Sequence, residues 1–122
     1  MEIIFLIGRI ILGAYFIYNA YNHFMNVEHL AGYAASKKVP YANIAVMGTG
    51  LMLAVGGVSV LTGVGLVVGA WILVAFLLGV SFMMHAYWKI SDAMNIRMAE
   101  KINFMKNMAL VGALLMIISM RM

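Results

Sequence analysis

Long uncharged stretches dominate the pattern of this chain. From Ile3 to about Phe24 the sequence is apolar apart from Arg9 and a few small polar residues, and residues 39–84 hold no Asp, Glu, Lys, Arg or His. A helix needs roughly 20 apolar residues to cross a hydrocarbon core about 30 Å thick. The second stretch, 46 positions long, is too long for one crossing and fits two. Thr62-Gly63-Val64-Gly65 is the natural turn between them, because paired glycines tolerate tight backbone geometry. A last apolar run completes the set. The pattern predicts an all-α integral membrane four-helix bundle, one transmembrane domain over 1–122 with spans of about 3–24, 43–61, 65–85 and 102–120. Pro40 falls just ahead of the second span, where a missing N–H does least harm. Membrane strands are set aside on length, since these runs are twice what a strand needs.

The connections differ in kind. The turn between the second and third spans carries no charge. The first loop, Met25 to Ala42, holds Glu28, His29, Lys37 and Lys38, with Val27, Leu30 and Ala34 at helical spacing. That pattern predicts a short amphipathic helix at the membrane interface. The third loop, Ala86 to Lys101, carries Lys89, Asp92, Arg97, Glu100 and Lys101. Ile90, Met94, Met98 and Ile102 recur there every four residues, so a second short interfacial helix is expected, running toward the fourth span.

Composition agrees and excludes alternatives. Hydrophobic residues make up 66% of the chain and charged residues 10%, against roughly 45–50% and about 25% in soluble proteins. Too few charges are present to solvate a small water-soluble fold, and disorder needs the opposite balance. The absence of cysteine excludes disulfides, thiol relays, iron–sulfur clusters and cysteine-ligated zinc. The net charge of +4 includes no run of five like charges, so membrane topology explains it better than nucleic acid does. The opening Met-Glu-Ile-Ile-Phe-Leu-Ile-Gly-Arg has no cationic leader and is expected to be a first span, not a cleaved signal peptide. Four crossings put loops one and three on one side with Lys37, Lys38, Lys89, Arg97, Lys101 and Lys106, against Arg121 and Arg9 on the other. The positive-inside bias then places both loops in the cytoplasm and both termini outside.

Polar side chains gather at the loop side. Tyr15, Asn19, Asn22, His23 and Asn26 fall three or four residues apart on one face of the first span. His85 closes the third span at similar depth, and Asn103, Lys106 and Asn107 open the fourth on one face. Tyr18, Tyr21, Phe24, Tyr33, Tyr41, Phe82, Tyr87, Trp88 and Phe104 cluster around them. Polar groups avoid lipid, so this stripe should face the bundle interior or a wet vestibule. Two readings stand: interhelical hydrogen bonds within an aromatic belt, or a pocket for a head group or ring-shaped ligand. Arg9 is the other anomaly. It either snorkels or pairs with Glu2, seven residues back, or it binds an anionic or carbonyl ligand inside the bundle.

Metal chemistry has thinner grounds. His23 and His85 could flank a haem, although interfacial histidines are far commoner. The 13 methionines are spread over every span, as packing residues are, and do not form a copper site. Gly65-x-x-x-Gly69 and Gly56-Gly57 suit close helix approach. No phosphate loop, catalytic triad or paired-carboxylate motif is present.

Several segments together carry a resemblance. They are Arg9 with Gly13, Asn22-His23-Phe24, Tyr33-Ala34-Ala35-Ser36-Lys37-Lys38-Val39-Pro40, and Gly56-Gly57 with Leu61 and Gly63. His85-Ala86-Tyr87-Trp88 with Asp92, and Asn103-Phe104-Met105-Lys106-Asn107-Met108-Ala109-Leu110 with Gly112, complete the set. Over nearly its whole length the chain resembles the DoxX family of small four-helix membrane proteins. The resemblance implies a quinone-associated or oxidoreductase-complex membrane subunit, without a bound redox metal. Two positions depart from the pattern of relatives. Leu53 stands where many carry a glutamate, which counts against proton-coupled quinone chemistry, and His23 stands where others carry lysine.

Three functions follow as expectations. The first is a subunit binding a quinone or similar lipid-soluble ring near Tyr15, Asn19, Asn22, His23, His85, Trp88, Asn103, Lys106 and Asn107, with Arg9 a further candidate and a partner oxidoreductase supplying electrons. The second is a non-enzymatic scaffold whose basic loops dock a soluble protein or anionic lipid. The third is a small transporter, which would need homo-oligomerisation to gather enough coupling machinery.

Overall fold

In a computed structural model of the protein, residues 2–90 and 94–121 are described. Asp92, one of the loop charges, lies outside them. Five α-helices follow in order: α1 (Glu2–Met25), α2 (Val27–Ser36), α3 (Ala42–Thr62), α4 (Leu66–Met84) and α5 (Met94–Arg121), with a single 3-10 turn at Tyr87–Lys89. Four of them, all but α2, are long and apolar enough to cross a membrane. The expected stretches 3–24, 43–61 and 65–85 fall on α1, α3 and α4.

The helix expected in the third loop runs on into the last long one. α5 begins at Met94 and continues without a break to Arg121, so most of that loop belongs to it. The apolar positions Met94, Met98 and Ile102 all point outward and are exposed, while Glu100 is buried. A helix in water would bury the methionines and expose the carboxylate. The reversed arrangement follows when lipid is the solvent and the polar group has partners inside.

The same inversion runs along the bundle. Ile3, Ile4, Ile7, Ile11, Ile44, Leu51, Val68 and Met116 form the exposed surface, which in a bilayer meets lipid tails. Phe16, Leu53, Val60, Leu73 and Leu114 are fully buried at the centre. α1 packs on α3, α3 on α4, and α4 on α5. α1 and α5 meet mainly through side chains. Arg121 Nη2 lies 3.8 Å from Glu2 Oε2 and its guanidinium sits over the Phe5 ring at 4.5 Å, while Lys106 Nζ lies 5.8 Å from the Tyr15 ring centre. The α1–α5 seam is looser than any of these three contacts.

The turns explain the tight packing at the other end. Gly63 and Gly65 both adopt left-handed backbone, φ 83° and 59°, and Gly63 N–H donates to Ser59 O at 2.8 Å. Glycine meets these torsions without steric cost. At the first loop, Lys38 and Tyr41 also have positive φ on either side of Pro40. The chain there reverses sharply and lays α2 against α3, burying Ala31 and Ala34.

Candidate functional site

His23 comes at the end of α1, where Gly50 of α3 lets the two helices approach. A Cβ added at Gly50 would lie 2.9 Å from His23 Cβ. The imidazole Nδ1 is 3.1 Å from Val46 O. A carbonyl only accepts, so Nδ1 carries the proton and Nε2 is left for other partners. Thr49 Oγ1, 3.3 Å from the same nitrogen, itself donates to Ala45 O at 2.7 Å. The ring meets Phe76 edge-on, centres 6.0 Å apart. One turn earlier, Asn19 Nδ2 donates to Tyr15 O at 2.8 Å, which keeps its carbonyl oxygen available.

These side chains surround a cavity of about 440 Å³. Its walls are mostly apolar, with Phe16, Leu53, Phe76, Leu77 and Met84 among them, and its polar groups come from Tyr15, Asn19, Asn22, His23, Tyr33, Thr49, His85, Lys106 and Asn107. Seven of the ten residues singled out in the sequence thus line one space: Tyr15, Asn19, Asn22, His23, His85, Lys106 and Asn107. His23 and His85 stand at the same end of the bundle. Among the described residues, no cluster of three or more His, Cys, Asp or Glu could hold a metal ion.

The other three lie elsewhere. Trp88 packs edge-on with Phe82, Tyr87 and Phe104 in an aromatic cluster beside the cavity. Asn103 Nδ2 donates to Glu100 Oε1 at 3.3 Å. Arg9 sits at the opposite end, its guanidinium 5.8 Å from the Phe5 ring and beside Gly63, with Nε buried and unpartnered. The expected Arg9–Glu2 pair does not form, because the exposed Glu2 carboxylate faces Arg121 across the seam.

Sequence reasoning missed the centre of the site's polar network. Glu100 is 5% exposed and draws together α2, its own helix α5 and the end of α4. Lys37 Nζ lies 2.9 Å from Oε2, and the Tyr33 hydroxyl donates to the same oxygen. His85 Nδ1 is 3.1 Å from Oε1. An ionised carboxylate is an acceptor only, and this arrangement offers it four donors. Burial of Tyr33, followed by its hydrogen bond to Glu100 and the charge there, pushes the phenol well above its ordinary pKa. In a spectrophotometric titration, Tyr33→Phe is therefore expected to leave the phenolate absorbance gained up to about pH 11 unchanged. A drop by one tyrosine's worth would show that Tyr33 ionises normally. The missed signal was spacing. Glu100, Asn103 and Asn107 fall at i, i+3 and i+7, the same periodicity that marked the polar face of α1.

A more open cleft of about 500 Å³ lies on the outer side of this network, lined by Tyr33, Ser36, Lys37, Asn95, Ile96, Ala99 and Glu100. Tyr33 borders both spaces. Glu100 borders the cleft and binds His85, which borders the cavity.

Residues 4–86 match the DoxX family model, more than half of the chain. The protein belongs to the DoxX family. No curated protein and no solved structure matches it. In this DoxX protein the matched stretch covers most of α1 and all of α2, α3 and α4, and so His23, Asn19, Tyr33 and Lys37. Glu100, Lys106 and Asn107 lie beyond it on α5.

Proposed function

We propose that this multi-pass membrane protein binds a quinone or similar lipid-soluble ring at the loop-side end of its bundle and serves a membrane oxidoreductase complex. The observation that carries this reading is the cavity: about 440 Å³, within the range of pockets that enclose small ligands, with apolar walls and polar groups concentrated on a few side chains. The seam between α1 and α5 gives a ligand dissolved in lipid a way in. Phe16 and Phe76 hold the ring, a ring carbonyl accepts hydrogen bonds from Lys106 or Asn107, and a ring hydroxyl donates to His23 Nε2. Electrons come from the partner oxidoreductase. In this reading both loops, and with them the outer cleft, face the cytoplasm, which the positive-inside bias of their cations supports.

The docking alternative has less to draw on. Of the four cations expected to form a basic face, Lys37 is bound to Glu100. Arg97 donates to Tyr87 O, and Lys101 Nζ lies 5.7 Å from the Tyr87 ring.

Titration of the purified protein with a short-chain naphthoquinone tests the reading. Removing one ligand hydrogen bond costs about 0.5–1.5 kcal/mol. Lys106→Ala should therefore weaken binding by roughly threefold to tenfold, and His23→Ala, which strips an imidazole from the cavity wall, should weaken it as well. Unchanged affinity in both variants would remove this cavity as the binding site.

A further inference from the structure

Charge around the cavity is not balanced. Glu100 is matched by Lys37 at 2.9 Å. Lys106, which lines the cavity at the α1–α5 seam, has no carboxylate within ion-pair distance among the described residues. α3 carries no charged side chain at all. The remaining titratable groups on the cavity wall are His23 and Tyr15 from α1, Tyr33 from α2 and His85 at the end of α4. Among the described residues, apart from Glu100, which is already paired, the charged groups acting on His85 are cations: Lys37 at the end of α2 and Lys106 from α5. An anion is what this end of the cavity lacks among those residues.

His85 has the chemistry to receive one. Its Nδ1–H donates to Glu100 Oε1, which fixes the ring and its tautomer, as a carboxylate does for an imidazole in many proton-transfer sites. Nε2 remains for a second partner. A neutral ring carbonyl there finds only an acceptor nitrogen. An ionised ring oxygen changes the balance, because Nε2 can then take a proton and donate it.

We infer that the cavity takes its ring ligand as an oxyanion, a phenolate or an ionised hydroxyquinone, and takes up one proton on His85 as it binds. The inference rests on the cavity reading above and narrows its ligand class. The step balances simply: the ligand anion and one proton from water enter, one N–H bond forms at Nε2, and no electrons move. The imidazolium then stands between two anions, the ligand oxygen and Glu100, with Lys106 as the second cation facing the ligand. Glu100 acts through His85 and is a positioning residue.

The test uses the full chain in lipid nanodiscs with two probes of one shape, 2-hydroxy-1,4-naphthoquinone, ionised at neutral pH, and its neutral 2-methoxy counterpart. Proton uptake is read in weak buffer with an indicator dye. The hydroxy probe should bind at least about tenfold more tightly and take up close to one proton per ligand. Its affinity should fall about tenfold per pH unit on the alkaline side, the slope of one coupled proton. His85→Gln, whose amide can still donate to Glu100, should abolish the uptake and flatten the profile. Glu100→Gln should move the profile to lower pH, and Glu100→Asp should restore it. A purely structural role for Glu100 would lower affinity without moving the profile. Equal binding of both probes, or undiminished uptake in His85→Gln, overturns the inference and leaves the cavity reading standing. Failure of both probes to bind overturns the two together.

Discussion

Replacing Glu100 with alanine is expected to destabilise the folded bundle by about 3–5 kcal/mol, the range observed when one partner of a buried ion pair is removed. The loss is large because the other partners stay behind. Lys37, a quarter exposed, would keep its charge beside a cavity wall, and the Tyr33 hydroxyl and His85 Nδ1–H would lose the acceptor they share. α2, α5 and the end of α4 meet at that one carboxylate, so α2 would lose its side-chain ties to α5 and keep its packing on α3 through Ala31 and Ala34. Unfolding in mixed micelles, followed by the fluorescence of Trp71 and Trp88, measures the effect. The double variant Glu100→Ala, Lys37→Ala should recover part of the loss, because it removes the stranded charge. A Glu100→Ala protein as stable as wild type would mean that the network adds nothing net to the fold.

The bundle itself was legible because a bilayer imposes a simple rule on length and polarity. The uncharged run 39–84 had to hold two crossings, and the glycines at 63 and 65 were the only reasonable place to turn. The side of each polar group was legible too, since His23 and His85 close spans that end on the same surface. Two things escaped. The charges of the third loop were read as those of an interfacial helix, with no inward partner for Glu100, although Glu100 continues the spacing of Asn103 and Asn107 backwards along one helix face. Glu100 could be buried only because Lys37, Tyr33 and His85 arrive from elsewhere in the chain, and long-range partners leave no mark in local periodicity. Trp88 shows the opposite difficulty. An aromatic residue near polar ones reads equally as ligand wall or as packing, and in the structure it packs edge-on with Phe82, Tyr87 and Phe104 beside the cavity.

At the far end of the bundle, Gly13→Ala is expected to cost about 1–3 kcal/mol, the usual penalty for overpacking a close-packed interior. A Cβ on Gly13 would lie 2.8 Å from Leu61 N and 2.9 Å from Leu61 Cα. Those are backbone atoms in the last turn of α3, and no rotamer change can move them away. The helices must separate, and the core around Phe16 and Val60 separates with them. Contact with a side chain is a weaker constraint: at Gly56 the nearest atom would be Leu73 Cγ, which can swing aside at some cost in packing. Gly112→Ala is the matched control. Nothing lies within 4 Å of its added Cβ, and alanine favours a helix over glycine by up to about 1 kcal/mol. Unfolding midpoints of the two variants in the same micelles should therefore shift in opposite directions. If Gly13→Ala unfolds no earlier than Gly112→Ala, α1 and α3 are not held at this distance by the missing side chain, and the close approach of these two helices has another cause.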